Sequence, residues 1–270
     1  MPAADPSLMF VNLARGENDM STAASAQSNA RAGRFYIGMA AVCVAAPIFG
    51  FLPSFFAPLM QGEFVRPPVF YIHIALFFGW TVYFFAQAWL VANGRIMAHR
   101  DWGVLGAALA AAMAFSVPLV TITRLNEAGD EPVGVDAASD AWIDATGLTF
   151  FLSAIVLAFA NMRRPQVHKR LMLLATIGIL NAPLARWSPV LFPQYAQRTA
   201  QPFFVEQWPN LLVAGLMGVA AAFDRKTTGR ISPVYLVGIP AYLILGLSWP
   251  LVGPSQAWLA AAEWIRHVAG

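Results

Sequence analysis

Charge is what this 270-residue chain has least of: Asp, Glu, Lys and Arg together make up 11% of it, against roughly 25% in soluble domains. With 58% hydrophobic residues beside that scarcity, an ordinary water-soluble globule is excluded. Cysteine is nearly absent. Cys43 stands alone, so no internal disulfide can form and no redox compartment is signalled. Lysine is confined to Lys169 and Lys226, both in charged joints, which excludes the buried late-chain lysine of a retinal-type receptor. Neither a nucleophile elbow nor a phosphate loop occurs, and HExxH is missing. A three-histidine zinc hydrolase fails on geometry. His73 and His99 are 26 residues apart, at opposite ends of one helix, and a zinc ion needs its ligands at about 2 Å.

What the chain does have is apolar blocks near 20 residues, the length that crosses a hydrocarbon core about 30 Å thick. Seven are legible, at 34–58, 67–92, 103–123, 143–162, 169–187, 209–223 and 233–252, the sixth being the shortest. Backbone groups unsatisfied in lipid are prohibitive, so each block is read as a helix and 34–252 as one all-α, seven-transmembrane-helix bundle. Residues 1–33, rich in Ala, Ser and Asn without an apolar period, read as a disordered N-terminal segment, and Met20 is an alternative start. The first apolar block lacks a small-residue cleavage site and reads as a retained helix.

Orientation follows from the basic residues. The N-terminal segment and the second, fourth and sixth joints hold 12 of the 17 Lys and Arg residues; the other joints hold Arg66, Arg124, Arg186, Arg198 and Arg266. The positive-inside rule puts the N-terminus in the cytoplasm and, after seven spans, the C-terminus outside. Basic residues placed by topology call for no nucleic-acid partner. The tail 253–270 starts with Ser255 as an N-cap and aligns Trp258, Ala262 and Ile265, the pattern of a short amphipathic helix lying at the interface.

Four sets of polar residues interrupt the apolar blocks. In the second, His73, Trp80 and Gln87 recur every seven residues, which leaves them on one helix face with a drift of about 20° per step. In the fifth, Asn181 and Arg186 flank Pro183. Counted at 1.5 Å per residue, His73 lies about 9 Å below the outer edge and Arg186 at a similar depth. An outer-half pocket formed by His73, Trp80, Gln87, Asn181 and Arg186 would bind a small amphipathic or quinone-like molecule. The competing reading is structural hydrogen bonding between helices, with Arg186 snorkelling to the headgroups. Third, Asp136, Asp140 and Asp144 are spaced by four, either as an acidic start to the fourth helix, favoured by its dipole, or as a cation site at Asp140 and Asp144. Fourth, GRIMAHRDWG and RRPQVHKRLM place His99 and His168 beside basic residues at the cytoplasmic face, where two imidazoles would serve a haem iron or another metal, or else meet lipid phosphates or backbone carbonyls.

The His early in the second helix, the Gln toward its end, then GR, HR and G, followed by RxPxxHKRLMLLAT, resemble an uncharacterised group of multi-span bacterial inner-membrane proteins over residues 67–187. More distantly, the chain is similar to di-haem membrane cytochromes of the ascorbate-reductase type. That second resemblance implies a b-type haem held by His99 and His168; on the outer side it finds only His73 in a helix and His267 on the tail. A ligand-free structural or assembly factor is the remaining alternative.

Overall fold

The computed structural model describes residue 27 and residues 30–127, 129–195 and 201–269, and no strand occurs among them. Most of the N-terminal segment read as disordered lies outside the described residues, and Ala30 to Gly33 already belong to the first helix.

Helix α1 (Ala30–Gly50) ends in a π-helical turn, Leu52–Phe56, and a one-turn helix, Ala57–Met60. Helix α2 (Pro68–Ala92) opens on Pro68, where a missing N–H costs nothing because the first-turn donors have no intrahelical acceptor. A tight turn through Gly94, at φ +73°, leads into α3 (Ile96–Asn126). Then come α4 (Val135–Ala160) and α5 (Pro165–Gly178). Short helical turns at Asn181–Ala185 and Ser188–Leu191 lead toward α6 (Phe203–Thr228), which stops at Gly229 in the left-handed conformation, the usual glycine cap. Helix α7 (Pro233–Gly246) starts where the Ser232 hydroxyl accepts from the Val234 N–H, and it runs on through a further turn, Trp249–Val252. Helix α8 (Gln256–Ala269) closes the chain.

Among the described residues five helices are long and apolar enough to cross a membrane: α1, α2, α3, α4, and α7 together with its extension to Val252. Their outward faces carry large apolar side chains such as Phe49, Phe115, Ile244 and Leu251, 65 to 81% exposed. The block expected as one helix over 169–187 is broken instead. Helix α5 is 14 residues long, about 21 Å, and the chain turns at Ile179 and Leu180 before resuming at Asn181. Pro183 has no N–H to give the carbonyl four residues earlier, which makes the break cheap there. The block expected over 209–223 is longer than read, and polar residues (Glu206, Gln207 and Asn210 near its start, Asp224 to Lys226 near its end) fill what its apolar stretch does not.

Helix α5 is the centre of the bundle. Leu173, Leu174 and Ile177 join Met39, Ala40 and Cys43 of α1, Val213 and Met217 of α6, and Tyr235 and Tyr242 of α7 in one buried cluster. On the other side Ala175 joins Trp80, Met113, Phe151 and Ile155. The joints sort to two ends. At one, Arg66 pairs with Glu127 at 2.8 Å, the Trp187 indole donates to the Phe49 carbonyl at 3.0 Å, and the Trp208 indole to Ser188 at 2.9 Å. At the other, Phe35 stacks on Phe223 at 3.8 Å, Lys169 lies 4.9 Å above the Tyr36 ring, and Arg170 meets Asp224. Successive helices α1 to α7 therefore alternate in direction.

Helix α8 packs on protein where its sequence suggested a lipid surface. Trp258, Leu259, Ala262 and Ile265 cluster with Leu125, Val133, Ala138 and Ala141. Its polar residues hold the α3–α4 connection: the Val133 N–H donates to Glu263 at 2.5 Å, and Arg266 donates to the carbonyls of Gly129 and Glu131 at 3.0 and 2.7 Å. Trp264 remains exposed.

Candidate functional site

The α5 break leaves a cavity of about 150 Å³. Helix α2 lines it with His73, Ile74, Phe77, Phe78 and Thr81; α3 with Val117; α4 with Ile143, Asp144, Gly147, Leu148 and Phe151; and the break with residues 178 to 183, beside Pro47 and Phe51 from the end of α1. Gly50 lets α1 reach this wall, since a Cβ there would stand 2.5 Å from the Pro183 Cβ. The walls are mainly apolar and aromatic, with His73, Thr81, Asp144 and Asn181 as the polar side chains.

His73 is oriented by Ser116, whose hydroxyl oxygen is 3.1 Å from Nδ1. That hydroxyl donates its own hydrogen to the Met113 carbonyl at 2.9 Å, so it accepts from Nδ1–H, and Nε2 is left as the acceptor of the ring. The ring also packs on Phe77 at 4.4 Å. Asn181 is held from the far side of the break, its amide N–H donating to Asn210 at 2.5 Å. The same Asn210 oxygen accepts from the Tyr242 hydroxyl at 3.0 Å, and its amide nitrogen donates to Gln207 at 2.9 Å and to the Gly246 carbonyl at 3.0 Å. The Asn181 carbonyl oxygen takes no part in that bond.

The structure divides the five residues grouped in the expected pocket. His73 and Asn181 both line the cavity. Trp80 does not: it is fully buried, its indole donating to Thr176 of α5 at 3.2 Å and its edge against Phe151 at 5.2 Å. Gln87 turns toward α3, where its amide oxygen lies 2.5 Å from His99 Nδ1. The Arg186 guanidinium sits 5.8 Å over the Phe51 ring and does not line the cavity. The seven-residue seam is thus three separate contacts, His73 and Gln87 with α3 at different heights and Trp80 with α5 between them.

Asp144 is the cavity residue that spacing alone did not place. It accepts from Thr121 at 2.6 Å and forms a close ion pair with Arg124, whose other terminal nitrogen is 3.8 Å from Asp140. In the cation site drawn from Asp140 and Asp144, the cation is therefore the protein's own guanidinium. Among the described residues no group of three or more His, Cys, Asp or Glu side chains could hold a metal ion.

At the opposite end His99 and His168 do come together, with ring centroids 6.4 Å apart and planes at 72°. His168 Nδ1 lies 2.9 Å from the Ala158 carbonyl. Nearby, Arg170 and Asp224 form a buried fork, Nε to Oδ2 at 2.7 Å and Nη2 to Oδ1 at 2.6 Å. Their residue types lay in charged joints and read as topology signals, so nothing in the linear sequence marked them as partners. No family model, curated protein or solved structure matches this chain.

Proposed function

We propose that this is a seven-span protein of the bacterial inner membrane, N-terminus in the cytoplasm and C-terminus outside, that binds the ring of a small amphipathic or quinone-like molecule in the cavity beside the α5 break. The reading rests on one observation: His73 and Asn181, 108 positions apart in the chain, line one apolar cavity of about 150 Å³. A cavity of that volume in an apolar interior accepts a benzene-sized ring. Apolar walls with a few convergent polar groups are the ordinary composition of a small-molecule site. The ring nitrogen left as an acceptor at His73 and the amide of Asn181 supply hydrogen-bonding groups for a carbonyl or hydroxyl-bearing head group. Gly147 both lines the cavity and is exposed, which gives an apolar chain attached to that ring a way out between helices. The α5 and α6 spans complete the count of seven through burial in the bundle, where less apolar sequence is tolerated.

A short-chain quinone titrated into the purified protein, followed by quenching of tryptophan fluorescence, tests this. Saturable one-to-one quenching is expected, weakened at least about tenfold by loss of one buried hydrogen bond to the ligand in His73→Leu or Asn181→Leu. Quenching with unchanged affinity in the folded double variant would refute the site.

A further inference from the structure

The hydrogens that the cavity's four polar side chains could offer are already committed. Ser116 gives its hydroxyl hydrogen to the Met113 carbonyl, so His73 carries its proton on Nδ1 and a lone pair on Nε2. Thr81 donates to the Phe78 carbonyl at 2.9 Å, one turn back on α2, which leaves its oxygen only to accept. Asp144, paired with Arg124, is a carboxylate with no hydrogen to give, and its bonds from Thr121 and Arg124 both end on Oδ2. Asn181 donates to Asn210. Its side chain also bonds the Tyr242 hydroxyl, whose own hydrogen goes to Asn210, so this contact takes a second amide N–H and leaves the Asn181 carbonyl oxygen. Whichever edge of each group faces the cavity, what remains on it is a lone pair.

We propose that the cavity selects the reduced, hydroxyl-bearing form of its ligand, a hydroquinone over the quinone, and that Ser116 sets this preference through His73. The inference rests on the reading of the cavity as a ring-binding site. A phenolic O–H finds an acceptor in the side chains as they stand. A quinone carbonyl is met by His73 only after the imidazole proton moves from Nδ1 to Nε2 and Ser116 turns its hydroxyl from Met113 to Nδ1, which gives up one existing hydrogen bond. Charged head groups fit less well: an ammonium finds Asp144 already neutralised by Arg124, and an anion finds a carboxylate and no uncommitted side-chain donor. Ser116 is buried and does not line the cavity, so it is a positioning residue that acts on the ligand through the imidazole.

Protein purified in detergent is titrated calorimetrically under argon with hydroquinone, with para-benzoquinone and with para-xylene, a ring of the same substitution pattern without polar groups. Hydroquinone is expected to bind at least about tenfold more tightly than benzoquinone, the effect of about one buried hydrogen bond. Ser116→Ala releases His73 to take either tautomer. The hydroquinone-to-benzoquinone ratio should then fall toward one through tighter quinone binding, with the affinity for xylene unchanged; damaged packing would instead weaken all three together. Asp144→Asn keeps an oxygen for Thr121 and Arg124 and puts an N–H where the second carboxylate oxygen stood, so it should also favour benzoquinone. Benzoquinone bound as tightly as hydroquinone by the parent, or a ratio unchanged in both folded variants, overturns the preference and leaves ring binding standing. If none of the three compounds binds, the cavity is not a ring site and the inference falls with that reading.

Discussion

The buried fork between Arg170 and Asp224 allows a sharp perturbation. The two side chains are 8% and 4% exposed, and both guanidinium–carboxylate bonds are 2.7 Å or shorter. The guanidinium is anchored further by the Gln166 carbonyl and side chain, so Arg170 ties the start of α5 to the end of α6. Removing one partner strands a charge where water does not reach, a loss of about 3–5 kcal/mol in comparable pairs. Asp224→Leu should therefore lower the unfolding midpoint strongly, on the order of 10 °C at about 2–4 °C per kcal/mol for chains somewhat smaller than this one. Arg170→Met should do the same. The double variant should recover most of the loss, because an apolar pair of similar volume replaces a desolvated ion pair at nearly neutral cost. Thermal unfolding of the four proteins in one detergent, read by circular dichroism at one scan rate, completes the cycle. Single variants that each shift the midpoint by less than about 2 °C, or a double variant equal to the sum of the singles, would refute the claim that the fork is buried and coupled.

Three further outcomes follow from other contacts. Gly147→Leu should weaken quinone quenching without loss of stability: Gly147 lines the cavity, a Cβ there meets nothing within 4 Å, and replacing a mid-helix glycine favours the helix by up to about 1 kcal/mol; wild-type affinity in this variant would contradict the assigned position of the ligand. Asp144→Asn should cost about 1–3 kcal/mol because it weakens both the Thr121 and Arg124 bonds, whereas Asp140→Asn, whose Arg124 contact is 3.8 Å, should stay within about 1 kcal/mol; equal denaturation shifts would show that the two carboxylates are equivalent. A reporter active only outside the cytoplasm, fused after Gly270, should be active, and activity of a cytoplasm-only reporter there would mean an even number of spans.

Much of this arrangement was legible in the linear chain because a bilayer imposes a one-dimensional rule. Block length and hydropathy alone marked out α1 to α4 and α7 as long apolar helices, since a segment of that composition has one way to satisfy its backbone in lipid. The same reasoning singled out His73 and Asn181, polar groups too expensive to face hydrocarbon without a reason, whereas His99 and His168 stood out by their place in two like basic joints. Depth is one coordinate, and contact requires two more. Angle around the helix and identity of the neighbour were decided by packing, which is why His73 turns to Ser116, Trp80 to Thr176 and Gln87 to His99 although all three share a seven-residue spacing. Packing around the break at Ile179 likewise put Asp144 into the cavity lining and left Arg186 out of it. The Arg170–Asp224 fork, 54 positions apart, exists only once α5 is enclosed by its neighbours: the sequence supplies two charges near one face, and burial makes them partners.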